Sequence, residues 1–269
     1  MMGNNDKTLV SIITVVYNGC AIIEDTIKSV IEQTYKNIQY IIIDGNSSDG
    51  TVNIIEKYKS HIDTFLSEND KGIYDAMNKG LCKAKGDFVI FMNAGDYFNN
   101  NDVINNFIKI KPDKNMSYYG NVTYFSNNTS YVFKSKLSSK YCFLKHNTFS
   151  HQAIFYSKKC LDNIGGYNLR LRVSADFDLT YRMVKKTKFI NLNTIIARCN
   201  ADGYSTNNGI QSYKDRMLCF KNEKDYLFYV ILLVCFPVFF LKNIVVKKSR
   251  NSKLYKIYRK IKYRGISEI

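Results

Sequence analysis

The 269-residue sequence predicts an α/β fold: a mostly parallel, doubly wound sheet with helices on both faces. Two observations predict it. The first hundred residues alternate short, nearly unbroken apolar runs with segments of helical periodicity, joined by short loops. Three polar clusters, Tyr17-Asn18-Gly19, Asp44-Gly45-Asn46 and Asn93-Ala94-Gly95-Asp96, each begin where an apolar run ends. Strands buried on both faces read as continuous Val and Ile runs, and ligands of such sheets gather beyond the strands' carboxyl ends. The three clusters are therefore expected on one rim.

Residues 9–16 are almost wholly apolar and form the first strand. Residues 21–34 carry Ile23, Ile27, Val30 and Ile31 at helical spacing. Residues 38–43 are a second β-branched run, and the Asn46–Gly50 stretch supplies turn chemistry and caps for a helix over 51–59. A weaker strand spans 62–67, a helix spans 73–85 and is closed by Gly86, and a fourth strand spans 87–92. Further on, 117–125 and 130–133 read as strands with a turn at Asn127-Asn128, 152–157 as a strand and 175–186 as a helix. No G-x-G-x-x-G or P-loop is present, so the usual backbone cradles for phosphate are missing.

Composition narrows the class. Two prolines and 14 glycines exclude collagen-like and Pro-rich chains. The seven cysteines include no C-x-x-C pair, which argues against a zinc or thioredoxin-like motif and for reduced thiols. The start, MMGNNDKTLV, has no basic region ahead of its apolar run and reads as a first strand, not a signal peptide. Net charge is +16, and residues 242–269 alone hold ten Lys or Arg against one acid, Glu268. That basic run follows an uncharged stretch, residues 226–241, which as helix is about 24 Å long and falls short of a bilayer core of roughly 30 Å. Leu254, Ile257, Tyr258 and Ile261 share one helical face with lysines and arginines around the rest, the pattern of a helix lying on an anionic membrane surface. A buried helix with a solvated basic tail is the plainer alternative. Nucleic-acid binding would leave the uncharged stretch unexplained. The expectation is a core over 1–225 (halves 1–110 and 111–225) and a tail over 226–269. The tail would hold the protein peripherally on the cytoplasmic side of the plasma (inner) membrane.

The segments SIITVVYNG, IIIDGNSSDGT, ENDKGIYDAMNKG and GDFVIFMNAGDYF, with a weaker match at Val173–Leu179, resemble the family-2 nucleotide-sugar glycosyltransferases of the GT-A fold over roughly residues 8–215. The resemblance implies a nucleotide-sugar donor of UDP or dTDP type, bound by Val16, Tyr17, Asp44, Lys71 and Asp75. Asp44 would accept the N3–H of uracil or thymine. Where the family often has two consecutive acids, this chain has Gly45 second, so the base contact is expected of Asp44 alone. Asn93 and Asp96 stand where the family places its metal-binding acids, which implies Mg²⁺ or Mn²⁺, hard cations that take oxygen ligands. Asp176 matches the general base, taking the acceptor's hydroxyl proton in concert with attack on the anomeric carbon. Asp178 and His151 are expected on the acceptor side.

Each residue also has a local reading. Asp44 and Asp49 suit turns that cap a helix, the NAGD segment suits a turn at a strand end, and Asp70–Gly80 suits a charged surface helix. Asp176 and Asp178 suit a helix N-terminus, and a lone histidine is commonly structural. The expected function is metal-assisted, inverting transfer of a sugar to a hydroxyl of a glycan or lipid-linked glycan acceptor, in bacterial surface-polysaccharide synthesis. The rival is a non-catalytic nucleotide-sugar or polysaccharide-binding subunit.

Overall fold

The computed structural model describes residues 8–126, 129–137, 140–144, 148–201 and 208–249. Four parallel strands make its first half: β1 (Val10–Val16), β2 (Ile38–Asp44), β3 (Thr64–Ser67) and β4 (Phe88–Phe91), in the spatial order β3-β2-β1-β4. β1 is buried along its whole length, as its Val and Ile run requires. Strand alternation then feeds two separate layers. Ile13, Val15, Ile41, Ile43, Val89 and Phe91 pack against α3 (Ile73–Lys83). Ile12, Val16, Tyr40, Ile42, Phe88 and Ile90 pack against α1 (Ile23–Ile31), α2 (Thr51–Glu56) and α4 (Val103–Lys109). Helices thus cover both faces, as the sequence pattern predicts.

The second half continues the same sheet. β8 (Ile154–Ser157) runs antiparallel to β4, and β6 (Ser117–Ser126) runs antiparallel to β8. β9 (Phe189–Asn200) lies parallel to β6, while β5 (Tyr97–Phe98) and β7 (Thr129–Phe133) pair antiparallel with β9 and β6. α5 (Lys158–Ile164), α6 (Ala175–Lys186), α7 (Gly209–Asn222) and α8 (Tyr226–Ser249) join the layer that contains α3.

Several elements are absent from the sequence reading for identifiable reasons. α4 lies among asparagines, and only the spacing of Val103, Ile104 and Phe107 marks it. β9 carries Asn193 at φ 50° opposite a register shift in β6, so its alternation is broken by a bulge. The expected strand over 152–157 begins as a 3-10 turn, His151–Ala153, before β8. The expected turn at Asn127-Asn128 lies outside the described residues.

The expected break at 225/226 is not a break in packing. Phe228 and Leu232 of α8 belong to the core, Phe228 meets Phe220 of α7 edge-on at 5.2 Å, and the Tyr213 hydroxyl donates to the Leu232 carbonyl. The opposite side of α8 is open and uncharged: Leu227, Val230, Leu233, Val234 and Val238 are exposed. Among the described residues, no helix is long and apolar enough to cross a membrane.

Gly80 lies where α3 crosses β1, and a methyl group there would sit 2.5 Å from Ile13 Cγ2. Overpacking of this kind costs about 1–3 kcal/mol. Gly80→Ala is therefore expected to lower the midpoint of urea unfolding; an unchanged midpoint would show that α3 is free to slide outward.

Candidate active site

A cleft of about 660 Å³ opens beyond the carboxyl ends of β1 and β4. Val16 and Tyr17 form its floor, Asp70 to Ala76 one wall, Asn93 and Ala94 the other, and Leu169, Leu171 and Arg172 its rim. The sequence-expected residues Val16, Tyr17, Lys71, Asp75 and Asn93 therefore meet in one place. Tyr17 is 68% exposed, an aromatic ring offered to solvent at a strand end. Asp75 accepts the backbone N–H of Lys71 at 3.0 Å and so shapes the wall from within. No carboxylate pairs with Lys71 or Arg172 among the described residues.

Asp44 departs from expectation. Its residue is fully buried at the end of β2, and its carboxylate accepts from Ser47 N–H at 2.9 Å, Ser47 Oγ at 2.5 Å and Ser67 Oγ at 2.6 Å. A carboxylate satisfied three times over by its own chain is not presented to a nucleobase, and it does not line the cleft. The neighbour that does is Asp70. A methyl group on Gly45 would stand 2.6 Å from Asp70 Oδ2 and 3.3 Å from the Tyr17 ring, so the missing second acid leaves room for Asp70 in front of Gly45. The sequence reading passed over Asp70 in favour of Lys71 and Asp75, and the glycine at 45 was the available signal.

On the other side, Asn93 Nδ2 lies 3.2 Å from His151 Nε2, and His151 Nδ1 lies 3.4 Å from Asp176 Oδ2. Tyr74, whose position opens α3, places its hydroxyl 3.1 Å from Asp176 Oδ1 and 2.7 Å from the Val173 carbonyl. The Asp176 side chain is 27% exposed. Burial pushes its carboxyl up, but the hydrogen bond and charge of His151, with the Phe177 N–H and the Tyr74 hydroxyl, outweigh this and hold it below the ordinary carboxylate range. Burial and the adjacent carboxylate push Tyr74 well above its usual value, so its proton stays on. His151 thus stands between the Asn93 side of the cleft and the Asp176 carboxylate.

Two expected residues turn inward. Asp178 is 2% exposed and paired with Arg182 at 2.8 Å; burial raises its carboxyl, and it has no path to an acceptor. Asp96 is buried and accepts from Gln152 Nε2 at 2.9 Å, with burial again raising its carboxyl. That bears on the expected Mg²⁺ or Mn²⁺. The turn offers the cleft one neutral amide, Asn93, whose Oδ1 has no partner, while Asp96 is buried against Gln152 and does not line the cleft. Gly95 adopts φ 90°, a conformation that disfavours an acid there, and Ile22 crowds the same spot at 3.2 Å. Among the described residues no group of three His, Cys, Asp or Glu is placed to hold an ion. This donor set does not fit a divalent cation, which usually wants one or two carboxylates besides the substrate phosphates.

A parallel β3-β2-β1-β4 unit extended by a mixed second half, with its cleft at the strand ends, is the fold of the GT-A transferases. The family model for Glycosyl transferase family 2 matches residues 11–177, and the chain belongs to that family. It is 29% identical over 204 residues to a PGL/p-HBAD biosynthesis glycosyltransferase of Mycobacterium tuberculosis, covering 73% of this chain and 78% of that one. An uncharacterized glycosyltransferase of Rickettsia typhi is 26% identical over 227 residues, 80% of this chain and 71% of that one. Among solved structures, S. aureus TarS 1–349 in complex with UDP-GlcNAc superposes with a TM-score of 0.65 at 18% identity, over 78% of this chain and 65% of that one. Mannosyltransferase PcManGT from Pyrobaculum calidifontis, in complex with GDP-Man and Mn²⁺, gives 0.60 at 18%, over 82% and 65%. The chain thus spans just under two thirds of either solved chain, and at these identities the likeness is one of fold.

If Asp44 serves the fold, Asp44→Ala removes three hydrogen bonds to a buried charge, from half-buried Ser47 and exposed Ser67, each contributing about 1.5–3 kcal/mol. The variant is expected to melt well below the parent or fail to fold. A variant that melts normally but no longer binds nucleotide would restore Asp44 to the base-reading role.

Proposed function

We propose that this glycosyltransferase moves a sugar from a uridine or thymidine diphosphate donor to a hydroxyl of a lipid-linked glycan, in a single inverting displacement. The observation that carries the reading is the line Asn93–His151–Asp176, which sets a half-buried carboxylate beside the donor cleft. Held below the usual range, Asp176 is ionised at neutral pH and free to receive a proton. It is far too weak a base to ionise an alcohol beforehand, so proton transfer accompanies attack on the anomeric carbon. His151, donating through Nδ1, orients that carboxylate. Asp70 accepts the imide N–H of uracil or thymine, a group that adenine and cytosine lack. Lys71 and Arg172, flanking the cleft, take up the charge that grows on the departing diphosphate. The UDP-GlcNAc held by TarS agrees with a uridine donor.

The protein works, on this proposal, against the cytoplasmic face of the inner membrane in surface-polysaccharide synthesis. α8 turns an uncharged apolar side outward, with Val234 and Val238 each 71% exposed, and the sequence beyond it is strongly basic. Hydrocarbon followed by cations complements an anionic bilayer, and a lipid-linked acceptor is met on the same surface.

Three measurements test this. In a thermal-shift panel, uridine and thymidine diphosphate sugars should raise the melting temperature equally with EDTA or with Mn²⁺, and Asp70→Asn should abolish most of that rise. Stabilisation only by adenine nucleotides, or only with Mn²⁺, would contradict these assignments. Asp176→Asn should keep the nucleotide-induced shift yet lose about 10²- to 10⁴-fold in turnover; a protein indifferent to this change is a binding subunit. Val234→Glu with Val238→Glu, at exposed positions, should leave the melting temperature unchanged but prevent sedimentation with phosphatidylglycerol vesicles. Undiminished sedimentation would sink the docking of α8.

A further inference from the structure

We infer that Asp215, on α7, is the positioning residue that fixes Asp176; the inference rests on the reading of Asp176 as the base. Asp215 is 3% exposed, far from any solvent-facing role, and touches none of the cleft. Its Oδ2 accepts the backbone N–H of Val173 at 2.8 Å and of Ser174 at 3.1 Å, and its Oδ1 accepts from Gln211 Nε2 at 2.7 Å. These are the two residues that lead into α6, whose second residue is Asp176.

The start of α6 needs such help. Ser174 occupies the N-cap position but makes no capping bond from its side chain. Its hydroxyl is instead 2.7 Å from the hydroxyl of Ser212, also on α7. The carboxylate of Asp215 therefore stands in as an external cap, with its charge near the positive end of the helix. Tyr74 holds the same turn from the opposite side through the Val173 carbonyl. With N–H and C=O of Val173 both taken by side chains of other elements, the turn before Asp176 has little freedom. A second clamp lies upstream, where Asn78 bonds both N–H and C=O of Tyr167. Between the two clamps runs the rim of the cleft. α7 also packs on α8 through Tyr213, so the outward apolar helix and the base share one support.

A base misplaced by about 1 Å can cost on the order of 100-fold in rate. The test uses the full chain and the uridine diphosphate sugar that stabilises it most, with release of free UDP to water as the turnover readout. Asp215→Ala is expected to lower turnover at saturating donor by roughly ten- to a hundredfold, while UDP affinity changes by less than about threefold. Hydrogen exchange should accelerate in peptides covering 170–178 and not in β1–β4. Asp215→Asn, which keeps an oxygen for the two amides, should recover most of the turnover; Asp215→Ser replaces the alanine variant if that does not fold. Unchanged turnover in a folded Ala or Ser variant overturns the inference, as does loss of UDP binding together with faster exchange throughout the protein. Wild-type turnover in Asp176→Asn would instead remove the base reading on which it stands.

Discussion

A carboxylate withdrawn from water must be met where it stands, and the way Asp44 is met shapes the donor side of the molecule. An ionised group costs several kcal/mol to bury, whereas hydrogen bonds to a charge each return about 1.5–3 kcal/mol. Three donors from Ser47 and Ser67 are therefore enough, and no ligand is required. The same contacts tie the end of β2 to the end of β3. Ser47 Oγ in turn accepts from Asn18 N–H, and Thr51 Oγ1 accepts from Gly19 N–H, which locks the loop after β1 to the loop after β2. The floor that carries Tyr17 is thus tied together by hydrogen bonds that run through a buried charge.

The degree of satisfaction separates the acids of this protein more sharply than their positions in motifs do. Asp44 is saturated. Asp96 and Asp178 are buried, raised by desolvation, and engaged with Gln152 and Arg182. Of these four, Asp176 combines partial exposure with a depressed carboxyl; its donors are His151 at 3.4 Å, the Phe177 N–H and a Tyr74 hydroxyl shared with a carbonyl. An acid that is both ionised and reachable is the one equipped to take a proton from an incoming hydroxyl.

Sequence patterns carried the first half of the fold because its strands are buried on both faces and its helices are amphipathic, so period and composition agree. Beyond residue 95 the agreement is partial: β6, β7, β8 and α6 stand where the pattern places them, whereas α4 and β9 are interrupted by asparagines and α7 buries only part of a polar surface. The meeting of Tyr17 and Asn93 was legible from strand ends, whereas that of Val16, Lys71 and Asp75 came from the resemblance to the family. The fates of Asp44, Asp96 and Asp178 were not. Which way a carboxylate faces depends on serines, Gln152 and Arg182 brought in from elsewhere, and motif position says nothing of that. Asp70 and Asp215 escaped notice for the same reason, since each acquires its meaning from a contact distant in sequence, with Gly45 and with the Val173–Ser174 amides.

The neutral turn at Asn93–Gly95 changes the electrostatic problem rather than removing it. In the proposed reaction a departing diphosphate still gains negative charge, and two unit charges about 4 Å apart near a protein surface interact by roughly 4 kcal/mol. Arg172 and Lys71 lie on the cleft from different elements, the rim before α6 and the loop before α3, and neither is spent on a carboxylate partner among the described residues. On the proposed reaction, these two exposed cations would oppose part of that charge. The neutral Asn93 also presents no negative charge for a diphosphate to oppose. The neutral turn at Asn93 and the basic residues across the cleft, without a carboxylate partner among the described residues, are thus two sides of one charge balance in the proposed reaction.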